Sequence, residues 1–156
     1  MNNMEKLDQG YLQLWASLLG STMDIVHTLN KRMRRYTPLT LAKFDVLMAI
    51  SQASDDVITM SELSRILMVS NANMTGMIRR LVRDGYVRKW ALPTDRRVYG
   101  VALTSEGKDI LEETKVIHHK WIEELIGSVQ HEDMRGLINK LDHLKASVQQ
   151  ICEEEK

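Results

Sequence analysis

The 156 residues balance 21 Lys/Arg against 21 Asp/Glu, hold 44% hydrophobic content and include a single cysteine, Cys152. That apolar share excludes a largely disordered polypeptide and suits one compact domain or two small lobes. No apolar run approaches the roughly 20 residues of a membrane span, and no basic stretch followed by a hydrophobic core opens the chain. One thiol excludes an intrachain disulfide and an all-cysteine metal site. A soluble, cytoplasmic protein without membrane attachment is expected.

The zero net charge hides an asymmetry. Residues 65–104 carry eight Lys/Arg against Asp84 and Asp95, a net of +6, while residues 105–156 are net −5 and the first 64 residues net −1. A basic module beside an acidic one suits a chain whose middle faces a polyanion and whose ends face another surface.

From Leu7 to about Arg35 there is no proline, and Leu12, Trp15, Leu19, Met23, Val26 and Leu29 recur at helical steps, predicting one long amphipathic helix. Thr37-Pro38 ends it, and Thr40 can cap a helix with Phe44, Leu47, Met48 and Ile50 inside. Asp55-Asp56 marks an exposed turn. Thr59 and Glu62 have capping-box spacing ahead of a short helix expected to bury Leu63, Ile66 and Leu67. That helix ends near Met68-Val69, and Ser70 can cap the next, which runs to a left-handed stop at Gly85. Two short helices so closely linked predict a helix-turn-helix.

Tyr86, Val87 and Trp90 before Pro93-Thr94-Asp95, then Val98, Tyr99, Val101 and Leu103, predict a β-hairpin with a charged tip. Thr104 can cap a helix through Ile110, Leu111, Ile117, Trp121 and Leu125, which Gly127 loosens. Met134, Leu137, Ile138, Leu141, Leu144, Val148 and Ile151 form a last helix at nearly heptad spacing.

At about 100° per residue, helix 70–84 gathers Met74, Ile78 and Leu81 on one face with Val82 beside them. The opposite face collects Ala72, Asn73, Thr75, Gly76, Arg79, Arg80 and Arg83, with Ser70 and Asn71 at its entry. Small residues let the backbone approach base edges, Asn and Arg offer bidentate hydrogen bonds to adenine and guanine, and flanking cations hold phosphates. An ordinary solvated helix with scattered arginines is the competing reading. The hairpin tip Asp95-Arg96-Arg97 favours DNA, because one carboxylate can orient an arginine for a narrow minor groove.

These motifs resemble the MarR family of ligand-responsive repressors. Leu39-Thr40-Leu41-Ala42-Lys43-Phe44-Asp45-Val46-Leu47 is similar to its second-helix opening and Ser70-Asn71-Ala72-Asn73-Met74-Thr75-Gly76-Met77-Ile78-Arg79-Arg80-Leu81 to its recognition helix. Gly85-Tyr86-Val87, Asp95-Arg96-Arg97 and Leu103-Thr104-Ser105-Glu106-Gly107 also match, so the resemblance spans residues 39–107. It implies a mainly α fold with a small β-hairpin wing, a winged helix-turn-helix plus a helical dimerisation region. The expected parts are a dimerisation helix over 1–36, a DNA-binding domain over 37–104 and dimerisation helices over 105–156. It assigns Arg97 to the minor groove, Asp95 as its orienting partner and Arg96 to a phosphate. Lys43 stands where glutamine is common, Lys89 where arginine is frequent, and Leu92 where a polar residue usually precedes the wing proline.

The expected function is therefore a homodimeric regulator, a repressor on palindromic double-stranded DNA, released by a small-molecule effector. The resemblance implies an effector site between the helical region and the DNA-binding lobe. Trp15, Met23, Phe44 and Met48 can supply apolar walls, and His27, Arg34, Arg35 or Tyr36 can meet an anionic head, although such a stripe also fits plain core. Arg32, Arg34 and Arg35 suit either the helix dipole or a ligand such as an aromatic acid or its thioester.

No glycine-rich phosphate loop, nucleophile motif or catalytic carboxylate pair is present, so no enzyme and no cofactor is expected. Five histidines raise a metal-responsive alternative, but adjacent His118 and His119 point about 100° apart on a helix and share an ion poorly, so no metal ligand is assigned. Cys152 beside Glu153, Glu154 and Glu155 is a poor reactive thiolate. The remaining alternative is a winged-helix protein interaction module that does not bind DNA.

Overall fold

The computed structural model describes residues 3–53, 57–93 and 95–155, with side chains from residue 9 onward. In chain order it forms α1 (Asn3–Tyr36), α2 (Leu41–Ser51), β1 (Ile58–Thr59), α3 (Met60–Ile66), α4 (Asn71–Arg83), β2 (Val87–Ala91), β3 (Tyr99–Leu103), α5 (Ser105–Ile126) and α6 (His131–Glu154). This is the mainly helical architecture with a small β wing expected from the sequence. The Asp55-Asp56 turn and Thr94 lie outside the described residues. The chain separates into two compact units, Met1–His118 and His119–Lys156. No helix among the described residues is long and apolar enough to cross a membrane.

The first unit buries Met33, Leu39, Leu47, Ile50, Leu63, Met74, Ile78, Leu81, Val101 and Leu111. Burial of each such side chain contributes about 1.5–3 kcal/mol against its exposed state. Among the described side chains of α1, Leu29 and Met33 in its last turns are the ones buried in this core. Thr37 closes the exit from α1: its hydroxyl, with one proton to share, lies 3.0 Å from the carbonyls of both Met33 and Leu39 and accepts from the Leu39 N–H at 3.2 Å. Thr40 then caps α2 by accepting from the Lys43 N–H at 3.3 Å.

The capping box forms as expected. The Thr59 N–H donates to Glu62 Oε2 at 2.9 Å and the Glu62 N–H to Thr59 Oγ1 at 3.2 Å. The Thr59 hydroxyl also donates to Glu62, and this bond followed by the Thr59 N–H holds the carboxyl below its usual range. In α3, Leu63 is buried, but Ile66, expected inside, is 49% exposed and Leu67 only half-buried. Seven residues make barely two turns, so one apolar stripe is as much as this helix can cover.

Both helices of the helix-turn-helix end in the same hydrogen-bonding motif. After α4, the Tyr86 N–H donates to the Leu81 carbonyl at 3.0 Å and the Gly85 N–H to that of Val82 at 3.1 Å, with Gly85 at φ +83°. After α3, the Val69 N–H donates to Ser64 at 3.0 Å and the Met68 N–H to Arg65 at 3.3 Å, and here a methionine occupies the left-handed position at φ 53°. A side chain there costs roughly 1–2 kcal/mol. The Met68 side chain is 83% exposed and recovers little by packing.

The hairpin pairs β2 with β3 antiparallel in register from Val87↔Leu103 to Ala91↔Tyr99. A third strand, β1, which the hairpin pattern did not announce, pairs with the other edge of β3 at Ile58↔Val101 and Thr59↔Gly100. Leu92, the departure from the family pattern, packs over Gly100: a Cβ there would lie 2.9 Å from Leu92 Cδ2, 3.2 Å from Val57 and 3.4 Å from Trp90.

The exit of α4, the hairpin base and the entry of α5 meet at Thr104. Its hydroxyl donates to the Gly85 carbonyl at 2.6 Å and accepts from the Gly107 N–H at 3.0 Å, while its own N–H donates to the Tyr86 carbonyl at 3.1 Å. A Cβ at Gly107 would sit 2.0 Å from that same Tyr86 oxygen, so only glycine lets α5 start there. At the end of α4, Lys43 Nζ donates to Asp84 Oδ2 at 2.5 Å, with both side chains mostly covered. This bond foremost holds the Asp84 carboxyl below its usual value.

In the second unit α6 buries none of its residues, and Leu137, Ile138, Leu141, Leu144, Val148 and Ile151 are exposed along it. Along α1, Tyr11, Leu12, Trp15, Leu19, Met23 and Val26 are exposed too.

Gly107→Ala is expected to lower stability by about 1–3 kcal/mol through overpacking against the Tyr86 carbonyl, seen as a lower urea midpoint at fixed protein concentration. Met68→Gly should raise that midpoint, by about 0.5–1 kcal/mol, the relieved strain less the added freedom of the unfolded chain. Lys43→Met should cost about 1 kcal/mol at neutral pH. Because Asp84 is depressed in the fold, the stabilisation is present above 3.8, its ordinary value, and is lost as pH falls through its lower folded value. The gap between wild type and Lys43→Met should therefore close in acid, and a constant gap would contradict the pairing.

Candidate nucleic-acid interface

Ser70 starts α4 by accepting from the Asn73 N–H at 3.3 Å. Met74, Ile78 and Leu81 anchor the helix in the core. Val82, expected beside them, is 42% exposed and belongs to the flank instead. The outward side presents Ala72, Asn73, Thr75, Arg79, Arg80 and Arg83, all exposed, with Gly76 half-buried among them. Ser70 and Asn71 are exposed at the helix start. The Thr75 hydroxyl donates to the Asn71 carbonyl at 2.8 Å, which spends its proton and leaves its oxygen as an acceptor. Arg80 folds across Gly76, whose missing Cβ would lie 3.9 Å from Nη1.

Positive charge thus collects toward the end of α4, and small polar groups toward its start. That arrangement can meet phosphates with the first and base edges with the second. Asp84 touches the same surface: Arg83 Nε lies 3.6 Å from Asp84 Oδ1 while Lys43 holds the other oxygen. Lys43 therefore restrains the tail of α4 from α2. Its role was invisible in the sequence, since the partners are 41 residues apart.

At the hairpin tip the Leu92 N–H donates to the Val98 carbonyl at 2.8 Å and the Val98 N–H to the Asp95 carbonyl at 2.9 Å. Asp95 Oδ1 accepts from the Arg97 backbone N–H at 2.9 Å, with Arg97 Nε at 3.8 Å. The carboxylate fixes the Arg97 backbone more firmly than its guanidinium, and the Arg97 side chain is 95% exposed. Arg96 is exposed beside it. Behind the tip, Lys89 Nζ sits 4.2 Å from the centre of the Tyr99 ring.

The expected effector residues are only partly brought together. His27, Arg34 and Arg35 share a shallow depression with Asn30 and Lys31 along α1. Arg35 also lies over the exposed Tyr36 ring at 5.4 Å. Phe44 is buried and faces the His118 ring at 4.7 Å, Met48 is half-buried, and Trp15 and Met23 are exposed. None of these last four lines the α1 depression. His119 Nε2 is 3.3 Å from Glu123 Oε1. Among the described residues no three His, Cys, Asp or Glu side chains could hold a metal ion.

Comparison with known proteins agrees with this geometry. Residues 39–99 match the family model described as MarR family. The chain is 30% identical over 141 residues to the HTH-type transcriptional repressor YetL of Bacillus subtilis, covering 88% of this chain and 82% of that protein. Its fold is similar to that of AbsC, a MarR family transcriptional regulator from Streptomyces coelicolor, with a TM-score of 0.80 at 21% identity over 96% and 97% of the two chains. It is also similar to a mutant MarR from Escherichia coli complexed with operator DNA, with a TM-score of 0.75 at 24% identity over 92% and 99%. The chain belongs to the MarR family and is a DNA-binding transcriptional regulator of winged-helix fold.

Proposed function

We propose that the chain acts as a homodimeric repressor that binds a palindromic operator and releases it when a small-molecule effector binds. The observation that carries the reading is the pairing of an exposed polar and cationic face on α4 with an exposed arginine at a hydrogen-bonded wing tip. In this reading residues 37–104 bind DNA, with α4 in the major groove and Arg97 in the adjacent minor groove. Asn73 and Arg79 read bases, whereas Arg80, Arg83 and Arg96 hold phosphates.

Residues 1–36 and 105–156 supply the dimer. Contiguous apolar faces along α1 and α6 are exposed on the single chain, and such faces mark interaction surfaces. Leu137, Leu141, Leu144, Val148 and Ile151 follow the four-and-three spacing of helix-to-helix seams. Two copies about a two-fold axis present two recognition helices to half-sites about one helical turn apart. The repressor sign follows the similarity to YetL, a transcriptional repressor. The effector, an aromatic acid or its thioester, would meet His27, Arg34, Arg35 and Tyr36, with Trp15, Met23, Phe44 and Met48 as apolar walls. Such a ligand changes operator affinity only by binding the two states unequally.

Selection of bound sequences from a random duplex pool should enrich an inverted repeat, and titration of that repeat should show a steep salt slope. Salt-insensitive binding to a protein partner, without enrichment, would instead favour an interaction module. On the enriched operator, Arg97→Ala should weaken binding about tenfold without lowering the thermal midpoint. Asn73→Ala and Arg79→Ala should relax preference at single positions by about 1–3 kcal/mol. Equal binding by Arg97→Ala at physiological salt would remove the wing assignment. Sedimentation at micromolar concentration should give a dimer, and a monomer there would end the palindrome argument.

A further inference from the structure

The two helices of the helix-turn-helix close with the same hydrogen-bonding motif, yet different residues stand at its left-handed position. After α4 it is Gly85, as the geometry favours. After α3 it is Met68 at φ 53°, the one non-glycine residue at positive φ among the described residues. Glycine would make the same bonds without the strain, so the turn itself does not call for a side chain there. The core does not call for one either, because Met68 is 83% exposed. Backbone strain from which the fold gains nothing is characteristic of residues that serve a binding surface.

Met68 stands two residues before Ser70, the N-cap of α4, so its Cα lies within about 7 Å of the helix start. Val69, between them, is 39% exposed and lines one shallow groove with Asn73. Ser70, Ala72 and Asn73 are exposed around the same entry. The turn thus continues the small and polar half of the α4 surface and adds an apolar group to it, while Arg79, Arg80 and Arg83 lie further along the helix. Base edges in a major groove present donors, acceptors and a single kind of apolar group, the 5-methyl of thymine. Methionine suits such a target, since its unbranched side chain and polarizable sulfur adapt to a small convex surface.

We propose that Met68 is a specificity-determining residue of the DNA-binding surface, its side chain packed on the 5-methyl group of a thymine beside the bases that α4 reads. The proposal rests on the placement of α4 in the major groove proposed above. In this arrangement the strained turn trades fold stability for sequence preference, and a glycine at the same position gives a more stable but less selective protein.

Deoxyuridine in place of thymine removes only the 5-methyl group, so the thymines of the operator enriched from the random pool are replaced one position at a time, symmetrically in both half-sites, and binding of the full chain is titrated by fluorescence anisotropy. At one position the wild type should lose affinity, about fourfold for each methyl removed. Met68→Gly should bind the unmodified operator correspondingly more weakly and no longer distinguish thymine from deoxyuridine there, although its thermal midpoint is not lowered. Met68→Leu, which keeps an apolar side chain, should retain the distinction. A methyl effect that persists in full in Met68→Gly, or a wild type that senses no methyl at any position, would overturn the proposal. Operator binding by Met68→Gly equal to that of wild type would overturn it too, and would leave the exposed side chain to a protein partner. Asn73→Ala and Arg79→Ala separate this contact from the placement of α4. If they relax preference at their own positions while Met68→Gly keeps the methyl effect, only the methyl contact is wrong; if all three keep every preference of wild type, the placement of α4 fails with it.

Discussion

The fold turns on the contact between Thr104 and the chain that leaves the recognition helix. Through one hydroxyl and one N–H, Thr104 holds the Gly85 and Tyr86 carbonyls and caps α5 at Gly107. Three elements therefore share one anchor: the helix α4 proposed to meet DNA, the hairpin of β2 and β3, and the long helix α5. Their mutual angles follow from glycine geometry. Gly85 supplies the left-handed turn, and Gly107 lets a helix begin against a carbonyl where any Cβ would collide. These three bonds hold α4 and the wing in a fixed relation to one another.

Around this anchor, polar contacts set the finer position of the exposed cations of α4 and the wing. Lys43 grips Asp84 from α2, and Asp84 in turn lies beside Arg83, so one carboxylate at the helix end connects the core to a surface cation. An anion at a helix C-terminus opposes the helix dipole, and the lysine offsets that cost. The wing uses a different device. Asp95 secures the backbone of Arg97 and leaves the guanidinium extended into solvent. The root of the wing is then held by Leu92, Val57 and Trp90 around Gly100, an apolar substitute for the polar residue usual before the proline.

The features legible in the sequence were those encoded locally. The capping box of Thr59 and Glu62, the caps of Thr40 and Ser70, the stop at Gly85 and the core face of Met74, Ile78 and Leu81 each depend on residues within a few positions, where helix geometry fixes what can touch. What escaped depended on tertiary context. Ile66 and Val82 have core-like chemistry but face outward, because α3 is short and α4 is seated by its other stripe. Met68 occupies a left-handed position that residue type argues against. β1 is two residues long and exists only by pairing with β3; the Val57-Ile58-Thr59 run was the one signal for it. The Lys43–Asp84 bond crosses 41 residues, and no local pattern reports it.

The distribution of apolar surface bears on where such a small lobe leaves space for a small molecule. Its core is tightly closed around Leu47, Leu63, Ile78 and Leu81, leaving little room for a ligand among those side chains. Space remains where elements meet at their ends, along α1 and at the junction of α2, the wing strands and α5. A molecule bound at either margin acts on the elements as bodies, and shifts of whole elements are the form in which small changes become large ones. The junction has the shorter physical route to α4 and the wing. Arg88 belongs to the same strand as the wing, and the α5 helix that borders it begins at the Thr104 anchor shared with α4.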